Sequence, residues 1–134
     1  MSKLSRWETV HQFMKRKDLQ FKKDQSLISM KDIGRRGKHF FNREAWTFLP
    51  QHNLKDKVFI IERLKKVRFD GRLAYRKFWK KDDIEYRLGY FIKGRIRKAK
   101  GRWVWGQYCP LIPLPDFNKL IAKAIKEKTI LTKL

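Results

Sequence analysis

One cysteine, Cys109, excludes an internal disulfide and any zinc site built on paired thiolates. The histidines number three (His11, His39 and His52) and are scattered along the chain, without metal-ligand spacing. No window approaches 18 apolar residues, so no transmembrane helix is expected. The opening residues, Met1 to Glu8, lack the apolar core of a secretory signal, and no lipidation motif is present. These absences favour a reduced, cytoplasmic setting in which Cys109 packs as a small hydrophobe, with no membrane partner. No Walker loop, nucleophile elbow or dinucleotide fingerprint appears. We therefore expect neither a cofactor nor a bound metal.

Acidic residues are the other shortage. Thirteen Asp and Glu face 35 Lys and Arg, a net charge of +22. A small domain is kept soluble by a net charge of roughly 2–8. Like charges in such excess repel one another and oppose compaction. A polyanion relieves that repulsion and releases counterions as it does so. The charge thus points to nucleic acid, RNA or DNA, as the partner class.

Hydrophobic residues make up 42% of the chain and aromatics 14%, enough to build the core of one domain spanning 1–134. Ser5 with Glu8 fits a capping box, and Trp7, Val10 and Met14 follow at helical spacing. Residues 26–33 read as a short helix and residues 38–49 as a second one ended by Pro50, so that 1–50 forms a helical, aromatic-rich part. From Lys57 the period falls from 3.6 to 2. Val58 to Ile61 is a β-prone run, and Asp70-Gly71 signals a hairpin. A three-residue loop, Phe69-Asp70-Gly71, pairs Val67 with Leu73. Residues 84–97 alternate between an apolar set (Ile84, Tyr86, Leu88, Tyr90, Ile92) and a largely basic one. Residues 102–112 return as a strand. The sheet is expected over 57–112 with about four antiparallel strands. Phe117, Leu120, Ile121, Ala124 and Ile125 then mark the apolar stripe of a closing helix over 115–128 that packs on the sheet. The expected class is α+β.

Charge is densest over 72–102, with twelve basic against three acidic residues. On the basic face of the 84–97 strand, Arg87, Lys93, Arg95 and Arg97 accompany Phe91. Cations following phosphates beside an aromatic that stacks on a base is a common way to hold single strands. The alternative is that a second layer covers this face and Phe91 is core. The turn carrying Arg95, Arg97, Lys98, Lys100 and Arg102 must be exposed under either reading. Trp103 and Trp105 read as core in preference to a stacking platform.

Arg35, Arg36 and Lys38 offer a second phosphate contact. Gly34-Arg35-Arg36-Gly37 resembles the GXXG loop of KH domains, which grips a nucleic-acid backbone between two short helices. The resemblance covers these four residues and their flanks only. No first KH strand precedes them, and the meander after them is longer than the KH pattern.

The expected function is thus non-catalytic nucleic-acid binding, as a subunit of a nucleoprotein complex. One alternative is a protein-binding inhibitor or accessory subunit of a nucleic-acid enzyme, since Arg and aromatics also suit protein interfaces. A second is a metal-dependent nuclease using Asp70, Asp82, Asp83 and Glu85, because such chemistry needs clustered carboxylates.

Overall fold

The computed structural model describes residues 8–32 and 36–132. In chain order the elements are α1 (Val10–Lys23), β1 (Ile28–Lys31), β2 (Lys38–Pro50), β3 (Lys57–Asp70), β4 (Ile84–Lys93), β5 (Trp103–Trp105) and α2 (Leu114–Lys126). The class is α+β. The five strands form one antiparallel meander in the order β1-β2-β3-β4-β5.

α1 starts at Thr9, whose side chain accepts from the Gln12 amide while Gln12 Oε1 accepts from the Thr9 amide (3.2 and 2.9 Å). This reciprocal pair is a capping box, later in the chain than the one expected at Ser5. Ser5 and Trp7 lie outside the described residues. Lys22 and Lys23 end the helix, where cations suit its dipole.

The two helices cover opposite faces of the sheet. On one face Phe13 and Phe21 of α1 pack with Phe48, Val58, Ile60, Phe91 and Trp103. On the other, Leu120 and Ala124 of α2 pack with Phe59, Ile61 and Tyr90. β3 is therefore buried on both sides, which is why Val58-Phe59-Ile60-Ile61 is an unbroken apolar run. Burying one such side chain contributes about 1.5–3 kcal/mol.

α2 is close to its expected position. Pro113 caps it and Pro115 sits in its first turn. Asp116, in the same turn, accepts from the His52 amide (3.2 Å) and meets the His52 ring (2.8 Å). At the other end Arg63 Nη1 donates to the Lys128 carbonyl (2.7 Å).

Several expectations are corrected. Residues 28–31 and 38–50 are strands, not helices. In β2, a register shift between Arg43 and Ala45 leaves Glu44 without a partner in β3 and breaks the alternation, so its apolar residues do not fall on a simple period of 2. Among the described residues, the helical part of 1–50 shrinks to α1. Val67 and Leu73 do not pair. Gly71 does turn the chain, with φ +78°, but it leads into an excursion over residues 72–83 before β4 begins. Leu73 is buried, and a Cβ on Gly37 would meet its side chain and the Arg72 carbonyl. β4 ends at Lys93, short of Arg97, and the return strand covers only Trp103–Trp105.

Candidate nucleic-acid interface

Alternation along β4 puts Glu85, Arg87, Gly89, Phe91 and Lys93 on the face that α1 covers. Phe91 is 6% exposed and meets Phe13 and Trp105 edge-on, each with ring centroids 5.0 Å apart. It is core, and cannot stack on a base while α1 stays docked. Trp103 is core as well, stacked on Phe13 at 4.8 Å.

The cations of this face are also engaged. Glu62 lies opposite Arg87 in the register and is 0% exposed. Arg87 Nε donates to one of its oxygens (2.6 Å) and Arg43 Nε to the other (2.7 Å). A buried carboxylate is costly unless paired in this way. Lys17 of α1 lies over the Phe91 and Phe21 rings at 5.3 and 5.7 Å. Burial, then the nearby charges of Arg16 and Arg43, hold the Lys17 ammonium below its ordinary pKa. Lys93 Nζ donates to the Glu8 carbonyl (2.9 Å), which also accepts from the Trp103 indole (3.1 Å). Arg87, Phe91 and Lys93 are therefore corrected from an open binding face to the seam beneath α1.

The expected turn is differently placed. Arg95, Arg97, Lys98, Lys100 and Arg102 are all exposed. Their loop is closed at its neck by the Gly94 amide donating to the Arg102 carbonyl (2.8 Å) and the Gly101 amide to the Gly94 carbonyl (2.9 Å). A Cβ on Gly94 would meet the Ala99 backbone, so the neck needs glycine there. The short 3-10 turn Arg97–Ala99 forms the tip, with Arg97 at φ +54°. The result is a tight knob presenting five cations to solvent.

Arg36 is exposed in the β1–β2 connection and Lys38 at the first position of β2, while Gly34 and Arg35 lie outside the described residues. The segments flanking this connection are strands. The GXXG resemblance therefore lacks the pair of helices that a KH loop joins. The Lys38 end of β2 pairs with Asp70, and the Lys57 end of β3 pairs with Ile92 next to Lys93. The two basic groups thus sit at opposite ends of the 14-residue β3, a span on the order of 40 Å at about 3.3 Å per residue. The candidate residues are not brought into one site.

A group of residues that sequence reading passes over adjoins Arg36 and Lys38. Between β3 and β4, Tyr75 and Phe78 are 75% and 66% exposed, among exposed Arg72, Arg76, Lys77, Lys80 and Lys81. The signal is present in Tyr75-Arg76-Lys77-Phe78, aromatics interleaved with cations. Assigning the residues after Gly71, Leu73 among them, to a hairpin strand hides it. Beneath them is a cavity of about 250 Å³ with His39, Lys66, Trp79 and Glu85 in its lining. The Trp79 indole N–H lies 3.2 Å from His39 Nδ1, and His39 Nε2 lies 2.9 Å from Asp32. An indole N–H only donates, so Nδ1 accepts and Nε2 carries the proton given to Asp32. The Ala74 amide also donates to Asp32.

Of the four carboxylates of the nuclease alternative, two are held by neighbouring cations. Asp70 pairs with Arg68, and Glu85 with Lys66 at 3.6 Å. Among the described residues, no group of three or more His, Cys, Asp and Glu is placed to hold a metal ion. Likewise, no described helix is long and apolar enough to cross a membrane. Compared with protein families, curated proteins and solved structures, the chain matches none.

Proposed function

We propose that this protein is a non-catalytic nucleic-acid-binding protein, acting as a subunit of a nucleoprotein complex. The observation that carries this reading is the net charge of +22, together with the exposed Arg95, Arg97, Lys98, Lys100 and Arg102. Cations already bound to carboxylates, such as Arg43 and Arg87, have little to offer a phosphate. The knob cations release no carboxylate when they bind one, and gain counterion release. Arg36 and Lys38 supply a second set of phosphate contacts at the far end of the sheet. A ligand touching both ends must be extended or wrap the domain.

Fluorescence anisotropy with labelled single- and double-stranded DNA and RNA tests the reading. The logarithm of affinity should fall linearly with the logarithm of salt concentration, by about 0.7–0.9 for each phosphate neutralised. Absence of binding to every one of these ligands at low salt rejects it.

A second reading is supported by a different surface. Tyr108, Leu111 and Leu114 are 79%, 84% and 73% exposed around the exposed Cys109. Apolar residues this open suit a protein interface. An accessory subunit docking through this stretch should hold its partner after nuclease treatment and a high-salt wash. Substituting Leu111 and Leu114 by Ser should then release it.

A further inference from the structure

We infer that the cavity between Trp79 and Glu85 receives a single unpaired nucleobase, and that Tyr75 and Phe78 are the stacking surfaces that lead a single strand to it. This rests on the nucleic-acid reading above and names the site and the strand state.

Four observations combine at one place. First, Tyr75 and Phe78 expose large aromatic side chains that the core does not use. A ring left in water gains apolar burial when a base stacks on it, and every base has a face to offer. Second, the same segment alternates these rings with exposed Arg72, Arg76 and Lys77. Gly37 packs against the Arg72 backbone, which brings Arg36 and Lys38 alongside. Phosphates of a strand whose bases stack on the rings would meet these cations.

Third, the cavity is of the right size. At about 250 Å³ it falls below the roughly 300–1,000 Å³ of sites for drug-sized ligands, so one flat ring system suits it better than an extended molecule. Fourth, its lining offers both kinds of polar group. Lys66 and Glu85 are 3.6 Å apart, a loose pair that leaves the ammonium able to donate and the carboxylate able to accept. A carboxylate accepts from exocyclic amino groups, which favours cytosine, adenine or guanine over uracil and thymine. Trp79 is held rigid by its bond to His39, which is itself fixed by Asp32. A wall of that kind is set before the ligand arrives. A base within a duplex is stacked on both faces and cannot enter.

The test compares a 20-nucleotide single strand with the same sequence as a duplex, at one salt concentration, against three proteins. These are the unaltered chain, the double variant Tyr75→Leu/Phe78→Leu, and the conservative variant Tyr75→Phe/Phe78→Tyr. Both positions are exposed, so folding is checked by circular dichroism and is expected to be unchanged. The unaltered chain should prefer the single strand. The leucine variant should lose about tenfold or more of single-strand affinity, the scale of one or two base–ring stacks, and little duplex affinity. The conservative variant should keep it. Light-induced cross-linking of a single strand carrying 8-azidoadenine, which keeps the exocyclic amino group, should label peptides within residues 73–85. If nucleic acid binds but the leucine variant is unimpaired, or cross-links fall only in residues 94–102, the pocket is rejected and the broader function stands. If neither strand form binds at low salt, both fall together.

Discussion

Two parts of this molecule are rich in arginine and lysine and use them for opposite ends. Along the seam beneath α1, Arg43 and Arg87 are spent on the buried Glu62, Lys17 is pressed over aromatic rings, and Lys93 holds the chain at Glu8. In the 94–102 knob five cations face solvent. The difference lies in what the neighbouring elements supply. A strand in the middle of a covered sheet brings carboxylates and carbonyls within reach of its cations. A loop closed at a two-glycine neck brings none. Positive charge in sequence is therefore not a surface property until the pairing of each residue is known.

The largest expected effect breaks the seam. Glu62→Ala leaves two largely buried guanidinium groups without their counter-charge and should lower stability by about 3–5 kcal/mol, read from urea unfolding. An effect under a tenth of that would mean the row is solvated and Arg87 is available after all. Next comes the knob. Replacing Arg97, Lys98, Lys100 and Arg102 together by Ala should leave the unfolding midpoint nearly unchanged. It should also flatten the salt dependence of nucleic-acid binding, by about 0.7–0.9 for each phosphate no longer neutralised. Equal loss of stability would erase the contrast between the two regions.

Arg97→Gly sharpens it further, because two effects have opposite signs. Arg97 has φ +54°, a left-handed conformation that glycine adopts without strain, so the variant should gain about 0.5–1 kcal/mol of stability. It should bind nucleic acid more weakly for want of one cation. The smallest effect concerns Lys17. Its folded pKa lies below the ordinary value of 10.5, chiefly through burial. The folded state therefore releases this proton before the unfolded state does, and stability rises with pH from the lowered value up to 10.5. At neutral pH the charged Lys17 is a burden. Lys17→Met should remove that rise, with the stability gap between the two proteins narrowing as pH increases through the window.

Much of the centre of the fold is legible in the sequence. The run at Val58–Ile61 marks a strand covered on both faces, the alternation from Ile84 marks β4, and the stripe from Leu120 to Ala124 marks α2. The second half of 1–50 misleads for a physical reason. A register shift at Glu44 moves the inward-facing set from Phe41 and Arg43 to Trp46 and Phe48, and the resulting spacing imitates a helix. Asp70-Gly71 reads correctly as a turn, but the path beyond it does not, since Leu73 finds its burial against Gly37 and not against Val67. Of the candidate site, the knob cations can be read from composition, because a Gly-containing turn of that charge has nowhere to hide. Phe91 and Arg87 cannot. Whether they face solvent depends on α1, which is distant in sequence and leaves no local mark on β4.

The double covering of β3 has a consequence for how the molecule opens. Its central amides are bonded to strands on both sides and lie under a helix on each face, so they exchange with solvent only when the whole domain unfolds. The knob and the 72–83 excursion lie outside that protected middle and exchange by local opening. A ligand on either of them would slow exchange there while the clock at Ile60 and Ile61 changes only by the free energy of binding. Hydrogen exchange on one sample would thus report where a ligand sits and how tightly it holds.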